Sequence, residues 1–331
     1  MQQSRLVSNP NSLAPMLRKM HWKLSCSYAV PKVFLAFITV LAAPFALGQQ
    51  TSPAPAPRGS DPMDPQRLSQ TIEGLKRTEK AMYLYERMER EESWKDPAKS
   101  QPDHTQISRV FPAGTGIDHI LLDNDGKRID DATYRKELEQ LSKSLEWAAA
   151  SGHDQDKAYA KIDKKLKERY DLIDATRNAF IYTFAGREIR EGRPLLKFRI
   201  EPNPGFKPQS RNANLLTKVK GYVWIDEATS QLARVEGQII DDISFGIFLG
   251  KIYKGSHFMQ ERYPDPSGVW LPAVSEYDFD GRKIFSSISI HQKTYYTNYR
   301  RVGPPREALP LLRSELARLK QEPLVSAGAD P

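Results

Sequence analysis

The chain has 331 residues, with 49 Lys plus Arg against 41 Asp plus Glu and a single cysteine, Cys26. Five of the cations, Arg5, Arg18, Lys19, Lys23 and Lys32, precede Gln49 and no acid does, so the remainder carries 44 against 41, a net of +3. That small, sign-alternating charge excludes the concentrated basic face of a nucleic-acid binder. One cysteine, placed ahead of Gln49, excludes a disulfide framework and thiol chemistry downstream.

The first 48 residues read as an export signal. The four cations from Arg18 to Lys32 precede an apolar run over 33–43, closed by Pro44, and the small residues Ala46 and Gly48 suit cleavage before Gln49. The run is short for a bilayer span of about 20 residues; an uncleaved anchor is the alternative. No cysteine follows the cleavage site to carry a lipid. The expected product is exported to the periplasm and soluble. Residues 49–65, rich in Pro, Ala and Ser, read as an extended linker.

The folded region is expected over 66–302. Leu68, Ile72 and Leu75 recur at helical spacing behind Asp64-Pro65, a cap and first-turn pair. Residues 82–94 turn strand-like although heavily charged. Two strands follow, over 105–111 and from Gly116 on, with Asn124-Asp125-Gly126 at a turn. From Asp131 the period becomes helical: Tyr134, Leu138, Leu141, Leu145 and Ala148 form one stripe, ended by Ser151-Gly152. A second helix over about 154–173 carries Tyr159, Ile162, Leu166, Tyr170 and Ile173. The two together read as a helical hairpin, 131–173, inserted between strands.

Strands resume with IYTFAGREI and LLKFRIEPN, where Leu196, Phe198 and Ile200 alternate with Lys197 and Arg199. Residues 203–214 are a loop by composition. From Gly221 to Val302 nearly everything reads as consecutive antiparallel strands, rich in β-branched and aromatic residues and bounded by turn formers such as Pro264-Asp265-Pro266. Pro304-Pro305 introduces a last helix with Leu309, Leu312, Leu316 and Leu319, and Gln321 to Pro331 reads as a frayed tail, helix and tail together making up 303–331. The fold class is therefore α+β, mainly β, with an antiparallel sheet and a helical cover.

Signatures of covalent chemistry are absent. His104, His119, His153, His257 and His291 share no metal-ligand spacing, so no metal and no cofactor are expected. Placing Gly126 at the sixth position of a calcium loop puts Leu121 first and Ala132 twelfth, where acids are required, so Asp123 to Gly126 reads as a turn. There is no G-x-S-x-G elbow, no S-x-x-K set and no glycine-rich phosphate loop. The expectation is a non-enzyme, with a hydrolase of envelope substrates as the third choice.

Strand alternation selects Leu196, Phe198, Ile200, Val223, Ile225, Val235, Ile239, Phe258, Phe279, Ile288 and Ile290 as candidate inward residues lining an apolar cavity. The run Ile243, Phe245, Ile247, Phe248, Leu249, broken by glycines at 246 and 250, reads first as a bulged buried connection and second as a mobile lip, with Phe245 and Phe248 as a candidate mouth.

Several segments carry a resemblance: GYVWIDEATSQLARVEGQI, the KGSHF step at 254–258, Val269-Trp270-Leu271-Pro272, the closing strand run ending in Tyr299-Arg300-Arg301, and Leu121 to Lys127 leading into a charged helix. Over about 68–302 the chain resembles the LolA/LolB-type periplasmic carriers that sort outer-membrane lipoproteins. The resemblance implies a highly curved antiparallel sheet forming an incomplete barrel, helices closing its mouth, and shielding of acyl chains without covalent chemistry. It implies as partners lipid or lipoprotein acyl chains and an envelope membrane protein, with the protein acting as a monomer. The hairpin over 131–173 departs from a plain carrier, and no specific functional residue of the carriers maps onto this chain. The alternative from another class is an envelope scaffold or partner-docking protein whose core is filled by its own helices.

Overall fold

Asp64 opens the first helix, α1 (Pro65–Ala81), by accepting a hydrogen bond from the Arg67 backbone N–H at 2.8 Å, with Pro65 in the first turn where its missing N–H costs nothing. The structure, a computed structural model, describes residues 63–245, 250–283 and 286–321, without the side chains of Phe245 and Lys283. The expected leader, most of the linker, the tail beyond Gln321 and Phe248 lie outside the described residues.

Strands β1 (Tyr85–Trp94), β2 (His104–Pro112), β3 (Ile117–Asn124) and β4 (Lys127–Arg128) follow, then helices α2 (Asp131–Ala149) and α3 (His153–Ala179). The β3–β4 turn has Asp125 at φ 55° and Gly126 at φ 79°, and Asp123 Oδ1 accepts from the Gly126 N–H at 2.8 Å. Two successive positive φ values make the turn type whose twist suits a hairpin. Strands β5 (Phe180–Arg190), β6 (Arg193–Pro202), β7 (Val219–Asp226) and β8 (Leu232–Ile239) come next, a short 3₁₀ segment (Ala213–Lys218) preceding β7. The chain ends with β9 (Ile243–Phe245), β10 (Gly250–Ile252), β11 (His257–Pro264), β12 (Trp270–Lys283), β13 (Ser286–Arg301) and α4 (Pro305–Gln321).

All thirteen described strands form one sheet, with the order β4-β3-β2-β1-β13-β12-β11-β8-β7-β6-β5 and β9 and β10 attached beside β12. Every pairing is antiparallel. β4 and β5 end the path without pairing with each other, so the sheet does not close into a barrel.

Cross-strand register defines the two faces, because directly opposed residues in an antiparallel sheet point the same way. Tyr182 opposes Ile200, and its hydroxyl donates to the Thr176 carbonyl of α3 at 3.0 Å, which puts α3 on the face of Leu196, Phe198 and Ile200. We call this the inner face. α1 lies beside α3, joined through Arg169–Glu79, Lys76–Asp174 at 2.7 Å and Arg177–Ser69 at 2.8 Å. α2 and α4 lie on the opposite, outer face: Arg109 of β2 bonds Tyr134 of α2 at 2.8 Å and Glu315 of α4 at 2.7 Å. Leu138, Leu141 and Leu145 of α2 and Leu312 of α4 pack there with Phe111 and Ile120, all 2% exposed or less. Each buried leucine contributes about 1.5–3 kcal/mol.

The helices expected to form a hairpin follow one another, yet they do not pack side by side. α2 packs on α4 and the outer face of the β1–β3 end, while α3 packs on α1 and the inner face of the β5–β8 end. The reason is that their stripes face opposite sheet surfaces. They touch only at the connection, where Tyr159 donates to the Ala148 carbonyl at 2.8 Å. The second helix also runs on to Ala179, and Ile162 and Leu166 in its first half remain half-exposed.

Gly221 and Gly237 oppose each other on the inner face, and the Phe258 ring lies over Gly237. A Cβ at Gly237 would stand 2.3 Å from Phe258 Cζ. Gly237→Ala should therefore lower stability by about 1–3 kcal/mol in urea unfolding. Combined with Phe258→Leu, the loss should be smaller than the sum of the two single losses; simple additivity would show that the ring and the glycine are not in conflict.

Candidate functional site

The register brings all eleven candidate lining residues onto the inner face. Phe198 opposes Val223, which opposes Val235; Leu196 opposes Ile225; Phe279 opposes Ile290; and Ile288 opposes Gly281. Nine of them, from Leu196 to Phe279, are buried, with Phe198 fully so. Phe184 adds a ring edge-on to Phe198 at 5.7 Å. Ile288 and Ile290 on β13 remain partly exposed. Of the candidate mouth, Phe245 ends β9 with its side chain outside the described residues, as is all of Phe248.

Following one row across the sheet reveals what alternation did not predict. The row runs Phe198, Val223, Val235, Gln260, Ser275, Thr294, Glu91, Gln106. Its chemistry switches between β8 and β11. The next row does the same, passing from Phe258 and Tyr277 to Gln292 and Ser93. The inner face is thus apolar over β5–β8 and polar over β11–β1, with the apolar Phe279, Ile288 and Ile290 beside the polar half.

The polar half is densely bonded. Arg262 donates from Nε at 2.8 Å and Nη2 at 2.6 Å to Gln260 Oε1, and Gln260 Nε2 donates to Ser275 Oγ at 3.2 Å. Arg87 donates from Nε to Glu89 Oε1 at 2.7 Å and pairs through Nη2 at 2.6 Å, beneath the Tyr296 ring at 6.0 Å. Its Nη1 is buried without a hydrogen-bond partner. The Tyr299 hydroxyl donates to the Pro272 carbonyl at 2.8 Å. Burial raises the pKa of the Tyr277, Tyr296 and Tyr299 phenols, keeping them neutral donors, and lowers that of Arg262. Burial, then the neighbouring Glu89, pushes the Glu91 carboxyl up to about 6.

Such an arrangement can donate and accept hydrogen bonds to a polar head and can bury an apolar tail; no step of bond making follows from it. Among the described residues no group of three or more His, Cys, Asp and Glu is placed to hold a metal ion. Sequence reading missed Arg87, Glu89, Glu91, Tyr296 and Arg262. Their one signal was the acidic alternation Glu89, Glu91 in a strand-like stretch that is heavily charged.

The sequence matches no family model and no curated protein. Among solved structures the chain is similar to a LolA superfamily protein from Nitrosomonas europaea, at 5% identity and a TM-score of 0.33, covering 73% of this chain and 96% of that one. It is also similar to a domain described as an outer membrane lipoprotein-sorting protein from Vibrio parahaemolyticus, at 11% identity and a TM-score of 0.25, covering 74% of this chain and 99% of that one. Both solved structures are of the kind the sequence resembles. At these scores the functional reading rests on this chain's own residues.

Glu91 supplies a pH test. Its folded-state pKa, about 6, lies above the ordinary 4.5, so the folded protein holds the proton more tightly than the unfolded chain does. Its contribution is therefore fully present below pH 4.5 and is lost as pH rises through 6. The groups facing it are Glu89, Tyr277 and Tyr296, with Arg87 paired to Glu89 and His119 3.9 Å from Glu89. Between pH 4.5 and 7.5 the wild type should lose about 1–2 kcal/mol more than Glu91→Gln does in urea unfolding. Equal pH slopes for the two proteins would contradict the assignment.

Proposed function

We propose that this protein is an exported, periplasmic binding or carrier protein for the acyl chain of a lipid or lipoprotein, acting as a monomer and without covalent chemistry. The observation that carries the reading is the apolar part of the inner face. It begins under α1 and α3 at Leu196, Phe198 and Ile200 and ends at Ile288 and Ile290, which the protein's own described residues leave partly exposed. Each methylene sheltered there is worth about 0.8 kcal/mol, so even a short stretch of tail gains several kcal/mol. The polar half alongside supplies donors for the head of the same amphiphile, with the buried Arg87 Nη1 as one unused donor. On this reading an envelope membrane protein delivers or receives the ligand. No described helix is long and apolar enough to cross a membrane.

A second reading, a scaffold or docking protein with a self-filled core, is favoured by the near-complete burial of Leu196, Phe198, Ile200 and Ile225. The two differ at β13. Ile290→Asp, at a partly exposed site, should leave the protein folded and lower affinity for a fluorescent fatty-acid probe at least tenfold. Phe198→Asp should unfold it on either reading. Lipid extraction and mass spectrometry of the purified mature protein should find a copurifying acyl lipid. No lipid and no probe binding to the wild type would leave the self-filled reading standing.

A further inference from the structure

We propose a second binding site, for a phosphoryl group, in a groove at the β11–β12 turn end of the sheet, opposite the end bearing the β12–β13 turn. The groove measures about 600 Å³ and lies between Arg77 of α1, Arg193 at the start of β6, Thr229 and Gln231 of the β7–β8 turn, and the β11–β12 turn with Asp265, with Trp270 along its wall. It shares none of the eleven inner-face candidates, so it stands or falls apart from the acyl-binding reading.

One charge here is unpaired and the other is only loosely paired, Arg193 with the buried Asp226. Arg77 is exposed and has no ion pair or hydrogen bond with any described residue. Arg193 stacks its guanidinium 5.6 Å from the Trp270 ring centroid, and its nearest acid oxygen, Asp226 Oδ2, is 3.6 Å from Nη1, too far for a hydrogen bond. The acid on the wall is already used. Asp265 Oδ1 accepts from Ser267 N at 2.9 Å, Ser267 Oγ at 2.7 Å and Val269 N at 2.9 Å, and Oδ2 accepts from the Tyr85 hydroxyl at 2.8 Å. Asp226 is likewise bonded within its own turn, to Thr229 N at 2.8 Å and Thr229 Oγ1 at 2.7 Å.

The surroundings hold the site rigid and positive. Trp270 is buried and packs with Leu195, Trp224 and Ala233. A narrower cavity of about 20 Å³ adjoins, sharing Arg193 and Trp270 and adding Arg190, Arg234 and Arg262 around Glu261, which pairs with both Arg190 and Arg234. Arg190 and Arg234 are paired to Glu261 and the Arg262 guanidinium is bonded to Gln260 on the inner face, so Arg77 and Arg193, with Asp226 3.6 Å from Arg193, carry the charge of the groove. A guanidinium fork matches phosphate oxygens bidentately and is weakly hydrated, so two of them bordering one groove beside an indole wall select a phosphoryl group over a halide. Free phosphate and the headgroup of an anionic phospholipid present the same chemistry.

The test uses the full mature chain, with equilibrium dialysis against inorganic phosphate and cosedimentation with vesicles of phosphatidylcholine alone or mixed with phosphatidylglycerol. Binding to phosphate identifies the free anion, and binding only to the phosphatidylglycerol vesicles identifies the headgroup. In either case Arg77→Ala should weaken binding about threefold or more, and Arg77→Ala with Arg193→Ala at least tenfold. Arg199→Ala with Arg313→Ala, the same charge change at exposed sites elsewhere, should change it less than twofold, and Ile290→Asp should not change it. Three results would each overturn the proposal: no binding to either probe, equal loss in the Arg199/Arg313 control, or competition by acetate equal to that by phosphate.

Discussion

A sheet with eleven strands in one hydrogen-bonded path presents two broad faces, and both must be taken out of water somewhere along its length. Here the cover is divided. α1 and α3 lie over the inner face where Leu196, Phe198 and Ile200 project, and α2 and α4 lie over the outer face behind Phe111 and Ile120. Arg109 ties the second arrangement together: its guanidinium reaches Glu86 in the sheet, Glu315 on α4 and Tyr134 on α2. With α2 and α3 joined by only a few residues yet committed to opposite faces, the described helices meet the inner side of β1 and β13 where Ala81 of α1 packs with Tyr85 and Tyr299, and Ile288 and Ile290 stay partly exposed. The functional reading depends on that partly exposed stretch.

The inner face also changes its chemistry along the sheet. On β5–β8 it is Phe, Val, Leu and Ile; beyond β8 the same rows continue as Gln260, Ser275, Thr294 and Glu91, with Tyr277 buried and Tyr296 and Tyr299 partly buried. An entirely apolar cavity was the expectation. The face found is amphiphilic instead, which suits a ligand with both a tail and a hydrogen-bonding head better than a bare hydrocarbon. The outer face of the β5–β8 end has another character again. Trp224 is buried there beneath Lys197 and Arg234, whose charged ends lie 4.8 Å and 5.5 Å from its ring, so an aromatic that reads as core in the sequence is shielded by the stems of charged side chains.

Much of the strand-level organisation is legible in the residues because alternation is a local property. Leu196, Phe198 and Ile200 declare their face, and the turn chemistry at Asp125-Gly126 sets the hairpin that follows β3. Helix starts at Asp64 and Asp130 are equally local, each a carboxylate accepting a backbone N–H three residues on. What the stripes on α2 and α3 lack is the identity of their partners. A stripe states that a helix has a buried side, and only the sheet order decides which surface meets it. The polar half of the inner face was hidden for a related reason: Glu89 and Glu91 look like solvent-facing charges until β13 is placed beside β1 and Thr294 and Tyr296 close over them. The Arg77–Arg193 groove joins residues more than a hundred positions apart and has no signature along the chain.

The account turns on where a hydrocarbon tail lies against this sheet. A photoactivatable fatty acid, cross-linked to the purified protein and mapped by peptide mass spectrometry, reports that position directly. Label concentrated on Phe279, Ile288 and Ile290 is the result predicted. Label confined to the outer face, or no label above that seen with Ile290→Asp, would contradict it.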